Sequence, residues 1–580
     1  MWAGCFCLLL TFRFSLSSKH IIMGKIVIYQ IFTRLFGNSV SARIKNGTKN
    51  ENGCGKMNFF DESVLGNIRK LGITHVWYTG IIRHATKTDY SSYGIPRQHP
   101  AVVKGNAGSP YAIADYYDVD PDLADDVDGR MNEFLSLVER THNAGMKVVI
   151  DFVPNHVARQ YRSVVKPKKV RDLGQDDDRN MGFSPKNNFY YCPGEAFAPY
   201  FDLKDGAEQP YEEYPAKATG NDCFTSHPGV CDWFETVKLN YGVDYCDAGG
   251  RSFHFVPKPD TWAKMLDILL FWCGKGIDGF RCDMAEMVPA EFWDWAIGQV
   301  KRAYPDVIFI GEVYNPSLYD RYIASGFDFL YDKVGMYDCL KGVIRHERAA
   351  SDITYQWQNV GDKQGRMLYF LENHDEQRIA SDYFAGCGER AFPGMIVCAL
   401  MQRNPLMIYA GQEYGEKGMD DEGFSGKDGR TTIFDYWTVE SLYSAYIDSR
   451  TQTKQQKSLY AEYVKLMNIV GHEKVVSDGS FFDLEYANIG RKDFDGNRQY
   501  AFLRKKDEDL LLVVANFSDE ERVCSLLIPQ HAFDCLGLKA ENAEAVDLLN
   551  GGKQHFMLSP ESPLTLTVGA NNGVVYKIKI

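Results

Sequence analysis

The 580-residue chain lacks the features of several broad classes of protein. It has no run that approaches the roughly 20 apolar residues of a membrane-spanning helix, so no membrane span is predicted. It has no excess of positive charge; its formal net charge of −13 disfavours a nucleic-acid partner. The 14 cysteines follow no framework spacing, which favours reduced thiols and a cytoplasm-like compartment. Internal repeats and low-complexity segments are also absent.

The N-terminus allows two interpretations. Residues 1–22 include a short apolar stretch, but no basic residue precedes it and no clean cleavage site follows. Met23 then opens MGKIVIYQIF, which runs directly into the first strand pattern. Residues 1–22 are therefore either a poor signal peptide or a mis-assigned start, and we favour the second. A cytoplasmic location follows, or a secreted or periplasmic one if the segment is a working signal peptide.

One local pair of cysteines stands out, Cys223 and Cys231 in CFTSHPGVC, with His227 between them. The pair is compatible with a disulfide or a metal clip. A plain loop carrying two thiols is the favoured interpretation.

From Lys25 the chain alternates short β-branched runs with amphipathic helical segments. Eight such alternations imply parallel strands with right-handed crossovers and predict an α/β fold, a (β/α)8 TIM barrel. A doubly wound sheet is disfavoured, because IFTRLFGN after the first strand lacks a glycine-rich phosphate turn. The predicted strands are 25–32, 73–81, 147–156, 277–284, 307–314, 327–332, 366–375 and 404–413.

Two stretches interrupt this alternation. Residues 157–260 contain no clean strand–helix unit and follow the third strand, so they are predicted to form an inserted subdomain over the mouth of the barrel. Short alternating runs replace the helical pattern near the C-terminus and predict an antiparallel β-sandwich domain. The predicted division is 23–156 with 261–465 for the catalytic barrel, 157–260 for the insertion and 466–580 for the β domain.

Three acidic residues lie at the ends of strand-like apolar runs: Asp283, Glu312 and Asp375. Burying a carboxylate is costly, so three at equivalent strand ends indicate an active-site rim. Arg281 shares a strand face with Asp283 and is expected to hold it ionised. Neighbouring strands lie about 4.8 Å apart. The carboxyl groups of Asp283 and Glu312 can therefore approach to the separation of ~5–5.5 Å that is found in retaining glycosidases. Inverting glycosidases have a longer separation of ~6.5–9.5 Å.

The same segments resemble the α-amylase family of glycoside hydrolases (family 13) over essentially residues 25–580. DFVPNH (151–156), GFRCD (279–283), GEVY (311–314) and ENHD (372–375) are similar to its four motifs, in order and at the right strands. KLNYG (238–242) resembles a short motif of its inserted domain. The aromatic content of 13% also suits sugar binding.

The resemblance implies a role for each matching residue. Asp283 corresponds to the nucleophile, Glu312 to the acid/base and Asp375 to the carboxylate that stabilises the transition state. The residues that correspond to sugar contacts at the cleavage point are Tyr111, His156, Arg281 and His374. Asp151 and Asn155 correspond to the structural end of the first motif.

Departures from the family pattern concern substrate positioning and calcium. Glu286 and Met287 replace a frequent Lys-His pair, which in such amylases binds sugar beyond the cut and lends a carbonyl to calcium. Ser109 replaces a frequent His. Asn155 is the candidate calcium ligand, and the acidic loop 174–180 offers further oxygens or is simply solvated. The first barrel loop, 46–56, lacks the carboxylates of a calcium loop. No organic cofactor is expected.

The leading functional hypothesis is retaining hydrolysis of α-1,4-glucosidic bonds in starch, glycogen or maltooligosaccharides. An α-glucan transglycosylase or sugar isomerase on the same scaffold is the alternative, because it would use the same catalytic residues and differ in excluding water. A non-catalytic glycan-binding member is disfavoured, since all three carboxylates are present. Linkage preference and endo or exo cutting depend on the shape of residues 157–260, and the oligomeric state is left open.

Overall fold

The computed structural model describes residues 24–245, 247, 250–418 and 427–580. The N-terminal segment 1–22, interpreted above as a signal peptide or a mis-assigned start, lies outside the described residues. Within them, no helix combines the length and the apolar character needed to cross a membrane.

Eight parallel strands form the central sheet, and they are the eight predicted from the sequence. The strands run in chain order from β1 to β7 across the sheet, with β8 beside β1. A parallel bridge between Tyr369 and Leu406 joins the two edges, so the sheet closes into a barrel. This confirms the predicted TIM barrel. The strands are β1 (Val27–Phe32), β2 (His75–Thr79), β3 (Lys147–Phe152), β4 (Gly279–Cys282), β5 (Ile308–Gly311), β6 (Phe329–Tyr331), β7 (Met367–Leu368) and β8 (Leu406–Tyr409).

Helices alternate with these strands and cover the barrel. The second of them illustrates why: its residues Phe134, Leu137, Val138 and Thr141 recur at helical spacing and are all buried. Gly145, with φ 77°, follows the end of that helix, as a C-terminal stop requires. In the described residues the α-helices of six or more residues are α1 (Glu62–Lys70), α2 (Arg130–Asn143), α3 (Asp260–Cys273), α4 (Ala290–Ala303), α5 (Tyr319–Ala324), α6 (Asp338–Ile344), α7 (Asp352–Val360), α8 (Phe392–Leu400), α9 (Glu440–Tyr446), α10 (Lys454–His472) and α11 (Gln530–Leu536).

The insertion after β3 consists of short antiparallel strand pairs and loops. Its first pair, His156–Ala158 with Thr236–Lys238, joins the start of the insertion to its second half. The other pairs in it are Tyr191–Cys192 with Ala216–Lys217 and Val243–Asp244 with Ser252–Phe253. A further pair that the sequence did not indicate, Ile82–His84 with Ile113–Val119, follows β2.

The loop with two thiols matches the favoured interpretation. Cys223 and Cys231 are both free thiols, which excludes a disulfide between them. His227 donates to or accepts from neither of them; its Nδ1 lies 2.8 Å from the carbonyl oxygen of Ala198.

The C-terminal region forms two packed antiparallel sheets, as predicted. The strand Asp509–Asn516 explains how this region attaches to the barrel. Leu510, Leu512 and Val514 face the second sheet, while the alternate residues belong to the barrel core. The sheet orders are β9-β10-β11-β16-β13-β14 and β12-β15. The strands are β9 (Ser480–Asp483), β10 (Gln499–Lys506), β11 (Asp509–Asn516), β12 (Arg522–Leu526), β13 (Glu541–Asp547), β14 (Lys553–Leu558), β15 (Leu564–Val568) and β16 (Asn572–Lys579).

A buried carboxyl group in this region predicts a pH-dependent stability. Burial raises the pKa of Glu485 to about 9, and the charge of Asp483 adds to the rise. The folded chain thus keeps this proton to a higher pH than the unfolded chain, so stability falls as the pH rises from about 4.3 towards 9. Glu485→Gln should raise the melting temperature by several degrees at pH 8.5 and leave it nearly unchanged at pH 5.

The exposed Glu561→Gln serves as the control, with no change expected at either pH. Thermal unfolding followed by circular dichroism would measure both variants. A Glu485→Gln effect of equal size at pH 5 and pH 8.5 would show that the carboxyl charge is not its cause.

Candidate active site

Asp283 and Glu312 occupy equivalent positions, each one residue beyond the end of a strand. Cys282 of β4 pairs with Gly311 of β5, so the next residue of each strand lies beside the other. Their backbone N–H groups continue the ladder, donating to the carbonyl oxygens of Phe152 and Cys282 at 2.9 and 3.1 Å. Both side chains are buried. The barrel therefore brings these two carboxylates together on its C-terminal rim.

One guanidinium group, that of Arg281, contacts both carboxylates. Its Nη1 donates to Asp283 Oδ1 at 2.6 Å, and its Nη2 lies 2.8 Å from Glu312 Oε2. Arg281 is completely buried. A rigid, always-charged fork of this kind fixes two carboxylates relative to each other more tightly than a lysine would.

The backbone just after Asp283 also positions Glu312. Met284 adopts a left-handed conformation, with φ 44° and ψ 43°, which is unusual for a residue with a side chain. This turns its N–H towards Glu312 Oε2, to which it donates at 2.7 Å. The hydroxyl group of Tyr314 donates to the other oxygen of Glu312 at 2.6 Å. Both oxygens of Glu312 are thus held before substrate arrives.

Asp375 lies on the open side of this group. The predicted seventh strand reached Asp375, but β7 ends at Leu368 and Asp375 belongs to the loop that follows. Its Oδ2 is 3.1 Å from His374 Nε2 and 4.0 Å from Arg281 Nη2. Its side chain is 38% exposed, against 8% for Asp283 and 4% for Glu312, so it is the carboxylate most accessible to a sugar hydroxyl.

Tyr111 lies at one side of the site, with His374 packed behind it. Their rings stack with centroids 5.2 Å apart, and the Tyr111 hydroxyl hydrogen-bonds to His374 Nε2. His374 Nδ1 lies 2.7 Å from the side-chain nitrogen of Gln30 in β1. Burial and the charge of Arg281 lower the pKa of His374, so this ring is neutral at pH 7.

His156 lies where the insertion begins. Its ring packs against that of Trp233 with centroids 5.4 Å apart. Burial, with the nearby charges of Lys238 and Lys104, lowers the pKa of His156 to about 3. A neutral imidazole here can donate or accept a hydrogen bond with an uncharged sugar hydroxyl.

The electrostatics of the site require a proton among the carboxylates. Asp151 also approaches Arg281, with its Oδ1 3.7 Å from Nη1, so four carboxyl groups surround a single guanidinium. Burial raises the pKa of Asp283 well above its ordinary value; Arg281 opposes this, and the charges of Glu312 and Asp375 add to it. Burial raises the pKa of Asp151 to about 6. Asp283 therefore binds a proton more tightly than an exposed aspartate does, against the expectation that Arg281 holds it ionised.

A cavity of about 380 Å³ opens onto these groups. It includes the three catalytic candidates, Tyr111 and His156, whereas Arg281 and His374 lie behind its wall. A larger cavity of about 550 Å³ lies elsewhere, beside the starts of α9 and α10, and contains none of them. The sequence reasoning missed further residues around the catalytic cavity: Lys104, Trp233, Glu235, Thr236, Met284, Tyr314, Ile433 and Phe434.

Tyr314 was detectable in principle, because it lies two residues after Glu312 and so on the same face of the chain. Glu235 was not. It comes from the loop-rich insertion and pairs with Lys104, with Glu235 Oε2 3.0 Å from Lys104 Nζ. Nothing in the sequence connects those two residues.

The family follows from the match between this chain and known proteins. Residues 30–479 match the family model described as the α-amylase catalytic domain. The chain belongs to the α-amylase family. Alpha-amylase 3 of Dictyoglomus thermophilum is 22% identical over 476 residues, which cover 78% of each chain. Neopullulanase 2 of Thermoactinomyces vulgaris is 22% identical over 527 residues, 88% of this chain and 73% of that protein.

Solved structures of the α-amylase family agree in fold. A maltogenic α-amylase from Thermotoga neapolitana superimposes with a TM-score of 0.61, covering 96% of this chain and 99% of that one at 19% identity. The family and its members show that this protein is a glycoside hydrolase of the α-amylase type.

Departures from the α-amylase family pattern have structural roles here. Glu286 accepts the backbone N–H groups of Tyr314 and Asn315 at 3.1 and 3.0 Å and so holds the loop after Glu312. Ser109 Oγ accepts the N–H of Tyr111 at 3.2 Å and so supports the turn that presents this ring. Both residues therefore stabilise loops that carry catalytic or sugar-contact candidates.

Calcium does not fit the residues predicted to bind it. The side-chain oxygen of Asn155 accepts a hydrogen bond from the buried ammonium group of Lys238, which occupies the direction a calcium ion would need. In the acidic loop, Asp176 pairs with Arg171. Asp177 accepts the N–H groups of Asn188 and Phe189 at 2.8 and 3.0 Å. These oxygens satisfy protein donors, so the prediction of Asn155 as a metal ligand is not supported.

Proposed function

We propose that this protein hydrolyses α-1,4-glucosidic bonds of starch, glycogen or maltooligosaccharides with retention of configuration. The observation that carries the proposal is the shared contact of Asp283 and Glu312 with the two terminal nitrogens of Arg281. Two carboxyl groups held by one guanidinium group in one cavity meet the requirement for a nucleophile next to a general acid.

In the first step an oxygen of Asp283 attacks the anomeric carbon and the glucosidic carbon–oxygen bond breaks. Glu312 transfers its proton to the departing oxygen. The hydroxyl of Tyr314 can reverse its hydrogen bond and accept from protonated Glu312, which keeps the acid in place in either state. Asp375, exposed to the cavity, stabilises the positive charge that develops on the sugar ring.

In the second step Glu312, now ionised, removes a proton from water. The water oxygen attacks the anomeric carbon, and the bond to Asp283 breaks. Atoms and charges return to their starting state: Glu312 is protonated and Asp283 is ionised. Two displacements at one carbon leave its configuration unchanged.

Aromatic and neutral side chains suit a carbohydrate substrate. Tyr111 and Trp233 offer ring faces to a sugar, and the neutral ring of His156 offers a hydrogen bond without charge. Proteins that this chain resembles are named for pullulan and cyclomaltodextrins as well as for starch, so these substrates belong in the test.

The test is the product profile from maltotriose, starch, pullulan and a cyclomaltodextrin, with Asp283→Asn as the blank. Hydrolysis predicts a steady increase in reducing ends and products no longer than the substrate. Oligosaccharides longer than the substrate, or an isomer, with little gain in reducing ends would replace the proposal with the transglycosylase or isomerase alternative.

A further inference from the structure

The ammonium group of Lys238 lies among three oxygens at the junction of the barrel and the insertion. It donates to Asn155 Oδ1, lies 2.7 Å from Asp222 Oδ1 and lies 3.5 Å from the carbonyl oxygen of Met287. Asn155 follows β3, Met287 follows β4, and Asp222 belongs to the insertion. One side chain thus connects three segments that are distant in sequence.

We infer that Lys238 serves as a built-in cation that takes the place of a structural calcium ion at this junction. Asn155 is the calcium ligand predicted from the sequence, and Met287 belongs to the pair of positions whose counterpart lends a carbonyl to calcium in the family that the sequence resembles. Oxygens of both residues face Lys238 Nζ. An ammonium group has three donors, which matches the three oxygens present. Calcium needs six to eight oxygens at about 2.3–2.6 Å. Lys238 leaves neither the room nor the free oxygens for it.

Burial and charge are consistent with this role. Lys238 is 2% exposed, and Asn155 is fully buried. Burial lowers the pKa of Lys238, and the carboxylate of Asp222 opposes that shift. A buried ammonium is tolerated where it is paired and hydrogen-bonded, as it is here.

The position of Lys238 also couples the junction to the active site. Lys238 pairs with His156 in the antiparallel register of the insertion. Asn155 donates from Nδ2 to the carbonyl of Gly220 at 2.6 Å, and the same nitrogen lies 3.1 Å from His156 Nδ1. Lys238 is therefore a positioning residue for His156, and loss of its charge should raise KM for a sugar substrate more than it lowers kcat.

The first measurement uses the wild-type protein. Elemental analysis after dialysis should find less than 0.1 equivalent of calcium per chain, and the melting temperature should differ by less than about 1 °C between a chelator and 5 mM calcium. A melting temperature that falls by several degrees in chelator and returns with calcium would overturn the inference.

The second measurement uses Lys238→Ala, which removes the ammonium and leaves its oxygen partners. The melting temperature should fall by about 5 °C or more, because Asp222 and Asn155 lose a buried partner. Added calcium, at 5 mM, should restore at least half of this loss, since the three oxygens then face an open space. A Lys238→Ala protein that responds to calcium no more than the wild type would contradict the inference.

The control is Lys217→Ala, which removes a half-buried, ion-paired lysine of the insertion. Lys217 Nζ lies 3.3 Å from Glu213, but Glu213 keeps Arg159 at 2.6 Å when the lysine is lost. This variant should also melt at a lower temperature, with no recovery in calcium. If Lys238→Ala does not fold, the chelator measurement on the wild type still shows whether calcium or Lys238 is the cation at this junction.

Discussion

Asp283→Asn is expected to lower kcat on maltooligosaccharides by at least about 10⁴-fold, because an amide cannot act as the nucleophile. Asparagine has almost the same shape, and Arg281 keeps its contact with Glu312 at 2.8 Å. The melting temperature should therefore stay within a few degrees of the wild type. Initial rates of reducing-sugar release, measured over a wide range of enzyme concentration, would quantify the loss.

Asp151→Asn is the matched control for this prediction. Asp151 is also buried and lies 3.7 Å from Arg281, but it is not part of the cavity wall. Asp151→Asn should lower kcat by less than about 100-fold, because it changes only the hydrogen bonds that Asp151 accepts from Trp77 and Tyr111. Asp283→Asn activity within 100-fold of the wild type would mean that Asp283 is not the nucleophile.

Glu312→Gln separates the second catalytic role from the first. A glycosyl fluoride needs no proton to expel its leaving group, so this variant should still form the covalent intermediate from α-glucosyl fluoride. Its activity on maltooligosaccharides should fall by about 10³-fold or more. Asp283→Asn should lose both reactions.

The second large effect concerns Arg281, and it is an effect on stability. Arg281→Met preserves length and removes the charge that Asp283, Glu312, Asp151 and Asp375 share. Breaking a buried ion pair costs about 3–5 kcal/mol. The carboxyl groups of the folded variant would bind protons more tightly than those of the unfolded chain. Its stability therefore decreases as the pH rises above about 4.

Chemical unfolding of Arg281→Met at pH 5 and pH 8 would test this pH dependence, and the greater loss in free energy of unfolding is expected at pH 8. Arg504→Met is the control, because Arg504 is another fully buried arginine whose hydrogen bonds go to the carbonyl oxygens of Leu400, Met401, Val476 and Gly479. Its loss should destabilise the fold equally at both pH values. An Arg281→Met penalty that does not depend on pH would show that Arg281 does not hold the carboxylates.

The barrel was predictable because parallel strands buried on both faces read as apolar runs, and each was followed by a helical period. Asp283 and Glu312 were predictable for the same reason: equivalent ends of neighbouring strands meet on one rim. The position of Asp375 was predicted less accurately. Its apolar run, MLYFL, is buried throughout, but only its first residues pair within the sheet, and burial alone cannot distinguish a strand from a buried loop.

The insertion shows why the remaining site residues were not predictable. Its short strands carry no helical or alternating period, and the first pair joins residues about 80 positions apart, such as His156 and Lys238. The Lys238–Asn155 contact therefore has no local signal. The calcium prediction assumed that Asn155 was free to bind a metal ion, and only the folded chain shows which cation it meets.

The stereochemistry of the first product tests the central claim most directly. Proton NMR recorded within the first minutes of hydrolysis, before the sugar anomers interconvert, would identify the anomer that the enzyme releases. Two displacements through Asp283 predict the α-anomer, which then equilibrates towards the β-anomer. Initial release of the β-anomer would mean a single displacement by water, and it would contradict the assignment of Asp283 and Glu312 as a retaining pair.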